Sequence, residues 1–292
     1  MMINLLTETR IKKIEQLMEW KRFKEALEEA ETYVRDNPDD ADAYAVLSQV
    51  YLKMERYEEA LKWSQESLKR DPENQMAWFV RVLTFYETEN MKSLDGALIE
   101  ALRVDPYEAH YYFLQANLCN KKGKYIEAKK HVNTALEIQP ENPLYLAMLS
   151  YIESLLGNFE ASKSLEEEAL RLDVESPYIM LYLAWAADQR SDYDRQLEFL
   201  KISIRMNPED QQIRNEYLEA LQKSYRVYRF FLFPSKLLKK LKPWQIFISW
   251  VVAWLLFKPL ILVFIVLYVF SHWITKALVH VKVFGWKWSA KK

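Results

Sequence analysis

Few residues in this chain carry obvious chemistry, and those few are scattered. The histidines are His110, His131, His272 and His280, and the one cysteine is Cys119. Zinc sites and nucleophile–base pairs recognisable from sequence need such groups at short, family-type spacings, which are missing here. Cys119 shares the register of Tyr51 and Phe85, so it reads as a small core hydrophobe rather than a reactive thiol. A lone cysteine also excludes an intramolecular disulfide framework and fits a reducing compartment. The four glycines, at 96, 123, 157 and 285, stand too far apart to build a loop that cradles phosphate. Asp39, Asp40 and Asp42 lack the glycine and closing glutamate of a calcium loop and fall where a helix begins, so capping accounts for them. The expectation is a protein without catalysis, metal or cofactor.

The residues with meaningful spacing are apolar. Phe23, Tyr57, Met91, Tyr125, Phe159 and Tyr193 follow one another at a single constant interval. Pro38, Pro72, Pro106, Pro140 and Pro208 keep the same interval, with Val174 in the vacant slot. A period of this length means a stack of small units that bury their core against one another. The clearest unit predicts two helices. Tyr44, Leu47, Ser48 and Tyr51 share one face of the first; Tyr57, Ala60, Ser67 and Leu68 point inward from the second; Asp71-Pro72 closes the unit. Small residues recur where helices must approach: Ala26, Ala60 and Ala128 at one register, and Ser67, Ala101, Ala135, Ala169 and Ser203 at another.

At these positions the chain resembles the tetratricopeptide repeat family, over about residues 7–210. Tyr44, Trp78 and Tyr112 match its first aromatic position, and Ala60 and Ala128 its alanine. Ser48, Val82, Ala116, Ser150 and Ala184 depart from the usual glycine, Leu94 replaces an alanine, and Glu153 takes an aromatic slot, which suggests looser packing in units three and five. The resemblance implies an all-α, right-handed superhelical solenoid of six helix-turn-helix units, with residues 211–233 as a capping helix. It also implies a concave face lined by the first helices. In that register stand Phe79, Leu83, Tyr86, His110, Phe113, Asn117, Tyr151, Tyr178, Tyr182 and Trp185, which suit a protein or peptide partner held by aromatic anchors. The Lys and Asn pair by which some family members hold acidic C-termini is not reproduced: Asn117 matches, but its companion is Phe113.

Charge divides the chain. Of the 40 basic side chains 13 lie between Ala220 and Lys292, whereas all 41 acidic ones lie at or before Glu219. The acidic array disfavours nucleic acid as a partner. In the basic part, residues 244–275 are almost wholly apolar and read as a membrane anchor, with Trp244, Trp250, Trp254 and Trp273 as aromatic members. Lys258-Pro259 interrupts this stretch, so two short helices in a hairpin fit slightly better than one kinked span. Both flanks are basic, as the positive-inside preference asks of a hairpin with cytoplasmic ends: Lys236, Lys239, Lys240 and Lys242 in the juxtamembrane segment 234–243, and further lysines in the tail 276–292. These four lysines suit anionic lipid headgroups. The reading is a membrane-anchored scaffold whose repeats stay cytoplasmic, as at a bacterial inner membrane. A bilayer-perturbing hairpin governed by the repeats and a tail-anchored organelle receptor are the alternatives.

Overall fold

Each period of the sequence becomes two helices because its apolar residues recur at helical spacing and its ends carry stop signals. The computed structural model describes residues 2–172, 176–225, 228 and 243–284, with side chains from residue 9 onward except 243, 246, 249, 250, 252–262, 264 and 284. These residues form helices and no strand. The first twelve helices make six pairs: α1 (Met2–Glu19) and α2 (Phe23–Asp36), α3 (Ala41–Lys53) and α4 (Tyr57–Arg70), α5 (Gln75–Glu87) and α6 (Met91–Val104), α7 (Ala109–Lys121) and α8 (Tyr125–Ile138), α9 (Pro143–Leu155) and α10 (Phe159–Arg171), α11 (Pro177–Gln189) and α12 (Tyr193–Met206). After them come α13 (Gln211–Lys223) and α14 (Pro243–Phe284). The chain divides into two compact units, Met1–Gln115 and Ala116–Lys292.

The turn inside each pair uses one device six times. Lys21, Glu55, Glu89, Gly123, Gly157 and Ser191, spaced by the same constant interval, all have positive φ, between 52° and 83°. The N–H of the next residue reaches back five positions, as Arg56 does to the Tyr51 carbonyl at 2.9 Å and Asn158 to Glu153 at 2.9 Å. This closes the helix end with a left-handed residue and satisfies a carbonyl that the helix leaves open. Four units accept a side chain there at roughly 1–2 kcal/mol of backbone cost. The turn between pairs is fixed differently. Tyr44 donates to the Pro38 carbonyl at 3.0 Å, the Trp78 indole to Pro72 at 2.9 Å, and Tyr112 to Pro106 at 3.1 Å. One repeated aromatic thus holds the proline turn that precedes it. The Val174 slot lies outside the described residues.

The expected small positions are the places of closest packing. Ala26, Ala60, Ala128, Ser67, Ala101, Ala135, Ala169 and Ser203 are fully buried, as are the glycine-slot residues Ser48, Val82, Ala116, Ser150 and Ala184, and Leu94. Glu153 explains its own departure from pattern: it is buried, salt-bridged to Lys129 at 2.6 Å and bonded by the Asn158 amide at 2.7 Å. Of the three aspartates, Asp40 is the N-cap of α3. Asp40 accepts from the Asp42 N–H at 3.0 Å and the Tyr33 hydroxyl at 2.8 Å, and Asp42 accepts from Asn74. Cys119 departs from expectation, being half-buried rather than in the core.

The helix α13 of the expected capping segment spans Gln211–Lys223, where the N–H groups of Ser224 and Tyr225 turn back onto Ala220, Leu221 and Gln222; of the remainder to residue 233, positions 226, 227 and 229–233 lie outside the described residues. One expectation is corrected. The apolar stretch is not a hairpin of two short helices: α14 runs unbroken for 42 residues through Lys258 and Pro259. Proline removes one backbone hydrogen bond and costs about 3 kcal/mol, which cooperative helix formation on both sides outweighs. The far half of α14 packs on α13 within the same unit. Ser271, Thr275 and Val279, on one face of the helix, are buried, and Gln222 donates to the His272 carbonyl at 2.8 Å and the Thr275 hydroxyl at 3.0 Å. Among the described residues no helix is long and apolar enough to cross a membrane.

Candidate functional site

The repeat places equivalent positions of successive first helices in rows, and two aromatic clusters arise on those rows. Each lies within one compact unit. In the first unit Phe79 of α5 faces His110 and Tyr111 of α7, with ring centroids 6.1 Å away in both cases, and His110 stands 5.3 Å from Phe113. Leu83 and Tyr86 follow Phe79 at helical spacing on α5 and, like it, are half-buried. Phe113 is more deeply covered, at 6% exposure.

Burial among these rings pushes His110 down to about 4. The imidazole is therefore neutral at pH 7 and behaves as one more aromatic surface. The folded-state value lies below the unfolded one of about 6.5, so the unfolded chain binds the extra proton between those limits. Stability is then complete above about pH 6.5 and lost as pH falls towards 4, by about 2–3 kcal/mol. Urea titrations at a series of pH values should show this acid loss, and His110→Phe should reduce it.

In the second unit Tyr151 of α9 meets Tyr182 and Trp185 of α11 at 6.3 and 5.5 Å, and Tyr182 and Trp185 pack edge to face at 5.3 Å. The Tyr182 hydroxyl donates to Asn117 Oδ1 at 2.6 Å. That bond fixes the amide from α7 and holds Tyr182 in its buried position. Burial raises the Tyr151 phenol to about 12, so it stays protonated and available as a donor. On α13, burial raises the Glu216 carboxyl above the usual carboxylate range.

All the expected groove residues except Tyr178 thus fall in or beside two clusters: Phe79, Leu83, Tyr86, His110 and Phe113 in the first, and Asn117, Tyr151, Tyr182 and Trp185 in the second. Tyr178 stands exposed at the start of α11, donating to Asp210 at 3.2 Å, and so belongs to the cap of α13. Of the expected membrane residues, Trp244 and Trp273 are well exposed on α14, whereas the side chains of Trp250, Trp254, Lys258 and Pro259 and all of Lys236, Lys239, Lys240 and Lys242 lie outside the described residues.

Sequence reasoning missed a buried ionic centre. Glu166 of α10 bonds Arg190, which caps α11, and Arg195 of α12 at 3.1 Å; Arg190 also reaches Ser162. Arg190 and Glu166 are only 4% and 6% exposed. Their partners come from three helices, so no local motif could signal them. Among the described residues no group of three His, Cys, Asp or Glu is placed to hold a metal.

Tetratricopeptide repeat models match residues 17–79, 109–142 and 156–211, together just over half of the chain. Among solved structures it is similar to a chain of the APC/C hetero-tetramer Cut9-Hcn1, with a TM-score of 0.63 at 17% identity over 73% of this chain and 42% of that one. It thus spans less than half the length of that relative. It is also similar to pilF of Pseudomonas aeruginosa, at a TM-score of 0.59 and 15% identity over 73% of this chain and 95% of that one. A tetratricopeptide repeat protein from Parabacteroides merdae gives 0.57 at 14% identity, covering 72% and 82%. No curated protein matches by sequence. At such identities the structural likeness speaks for the fold alone, and it agrees with the matched repeats, the regularly spaced turns and the paired helices. The chain belongs to the tetratricopeptide repeat family.

Proposed function

We propose that this protein is a non-catalytic scaffold, attached by α14 to the cytoplasmic face of a membrane such as the bacterial inner membrane, that holds a protein or peptide partner on its aromatic rows. The observation that carries the partner reading is the burial of those rows. Phe79, Leu83, Tyr86, His110, Tyr151 and Trp185 are large and ordered by neighbours, yet each keeps part of its surface open. Rings held in place and half-exposed are what a docking face requires, because their ordering cost is met before the partner arrives.

Attachment is supported by α14, where Phe247, Val263, Phe270, Trp273 and Ile274 are all more than half exposed, between 56% and 70%. A run of large apolar side chains of this extent is unfavourable in water and calls for lipid or another apolar cover. Basic residues before and after it favour anionic headgroups as the neighbours of its ends.

The test is the full-length protein in mild detergent with the half-open Phe79, Leu83 and Trp185 changed to alanine. Partner capture should weaken by about 2 kcal/mol or more for each anchor, while membrane attachment is unchanged. If the folded triple variant captures every wild-type partner equally well, the aromatic rows are not the binding site.

A further inference from the structure

The far half of α14 meets the array through a polar seam. The Gln222 amide of α13 donates to the His272 carbonyl at 2.8 Å and to the Thr275 hydroxyl at 3.0 Å, and lies 3.2 Å from His272 Nδ1. Tyr228 stacks on Tyr268 with 6.1 Å between ring centroids and brings its hydroxyl to 3.4 Å from the same imidazole nitrogen. The seam is incomplete: Ser271 Oγ is buried in it without a hydrogen-bond partner among the described residues, which offsets part of what the other bonds contribute. Thr275 Oγ1 donates to the Ser271 carbonyl of its own helix at 2.7 Å, so α14 can leave α13 without stranding that hydroxyl.

This seam limits where the rest of α14 can go. Pro243 stands about 44 Å along the helix from His272 at 1.5 Å per residue, so the start of α14 and the adjoining Lys242 lie far from the seam. If that stretch crossed a hydrocarbon core of ~30 Å while the seam held, Lys242 would stand beyond the bilayer, and the chain between the two helices would have to pass back through it. That chain carries Arg226, Arg229, Lys236, Lys239, Lys240 and Lys242 and no acidic residue. Basic side chains are among the costliest to hold in hydrocarbon. Docking on α13 and spanning the bilayer therefore exclude each other.

We infer that the seam is a latch between two exclusive states of α14. Latched, α14 is docked on α13 and meets the bilayer only at its surface. Released, Gln222 lets go and the apolar stretch enters the hydrocarbon from its Pro243 end, whose lysines stay at anionic headgroups beside the array. This rests on the membrane reading above and names what governs that attachment. Exposed apolar side chains such as Phe247, Val263 and Phe270 favour release wherever lipid is present, and the hydrogen bonds of Gln222 oppose it.

The experiment mixes the full-length protein with vesicles of phosphatidylethanolamine and phosphatidylglycerol and reads the fraction that resists alkaline carbonate extraction. Gln222→Ala removes the donor of the seam and should raise the ratio of resistant to extracted protein about tenfold, the size expected from the net loss of one or two hydrogen bonds. The opposite state is made with Gln222→Cys and Thr275→Cys in a Cys119→Ala background, the two new thiols being joined by a short bis-maleimide linker. The joined form should be extracted and the unjoined form of the same variant retained, with equal helix content by circular dichroism. Equal resistance of the joined and unjoined forms, or an unchanged ratio in Gln222→Ala, overturns the latch and leaves membrane attachment standing. Complete extraction of every form, the wild type included, overturns the attachment and the latch with it.

Discussion

Replacing Glu166 with alanine is expected to lower the stability of the second unit by about 3–5 kcal/mol, a large part of what holds a domain of this kind together. The carboxylate joins Arg190 and Arg195, and its removal leaves the Arg190 guanidinium buried without its counter-charge. The cost is that of an uncompensated buried cation, and it exceeds what the pair contributes over a well-packed apolar substitute. Arg22–Glu25 supplies the contrast. Both partners are about half exposed and screened by solvent, so Glu25→Ala should leave stability nearly unchanged. Chemical denaturation of the two variants decides the matter. Equal midpoints would show that water reaches the Arg190–Glu166 pair and that the centre adds little.

The second large effect concerns the membrane. Full-length protein should sediment with membranes and stay there through a high-salt wash, because the apolar area on α14 does not depend on screened charge. Truncation after Lys223 should move the repeats to the soluble fraction, since α13 remains to cover the last pair. The cut also uncovers Gln222, which bonds α14, so size-exclusion chromatography should accompany it. A soluble monomer is the expected result. Release of the full-length protein by salt alone would show peripheral binding through lysines, and aggregation of the truncated form would show that α14 serves chiefly as a cover for the array.

What was legible in the sequence follows from repetition. Phe23 to Tyr193 at constant spacing, the prolines and the buried small residues each state the same local rule several times, so the helix pairs and their packing positions could be read without any long-range information. The left-handed turn was repeated just as faithfully, but Lys21, Glu55, Glu89 and Ser191 conceal it because those residue types seldom mark positive φ. The aromatic row positions were legible for the same reason as the core, since a register carried across units names them. Their division into two clusters was not, because ring contacts such as Tyr182 with Trp185 depend on rotamers and on the neighbouring helix. The Glu166–Arg190–Arg195 centre and the Gln222 contact with α14 belong wholly to tertiary structure. A charged side chain on one helix face reads as solvated until a partner from another helix covers it, and whether Pro259 breaks a helix depends on the cooperativity of the residues around it. Repeated local preference determined the helix pairs, and the choice of which polar groups to bury and join was left to the packing of helices distant in the chain.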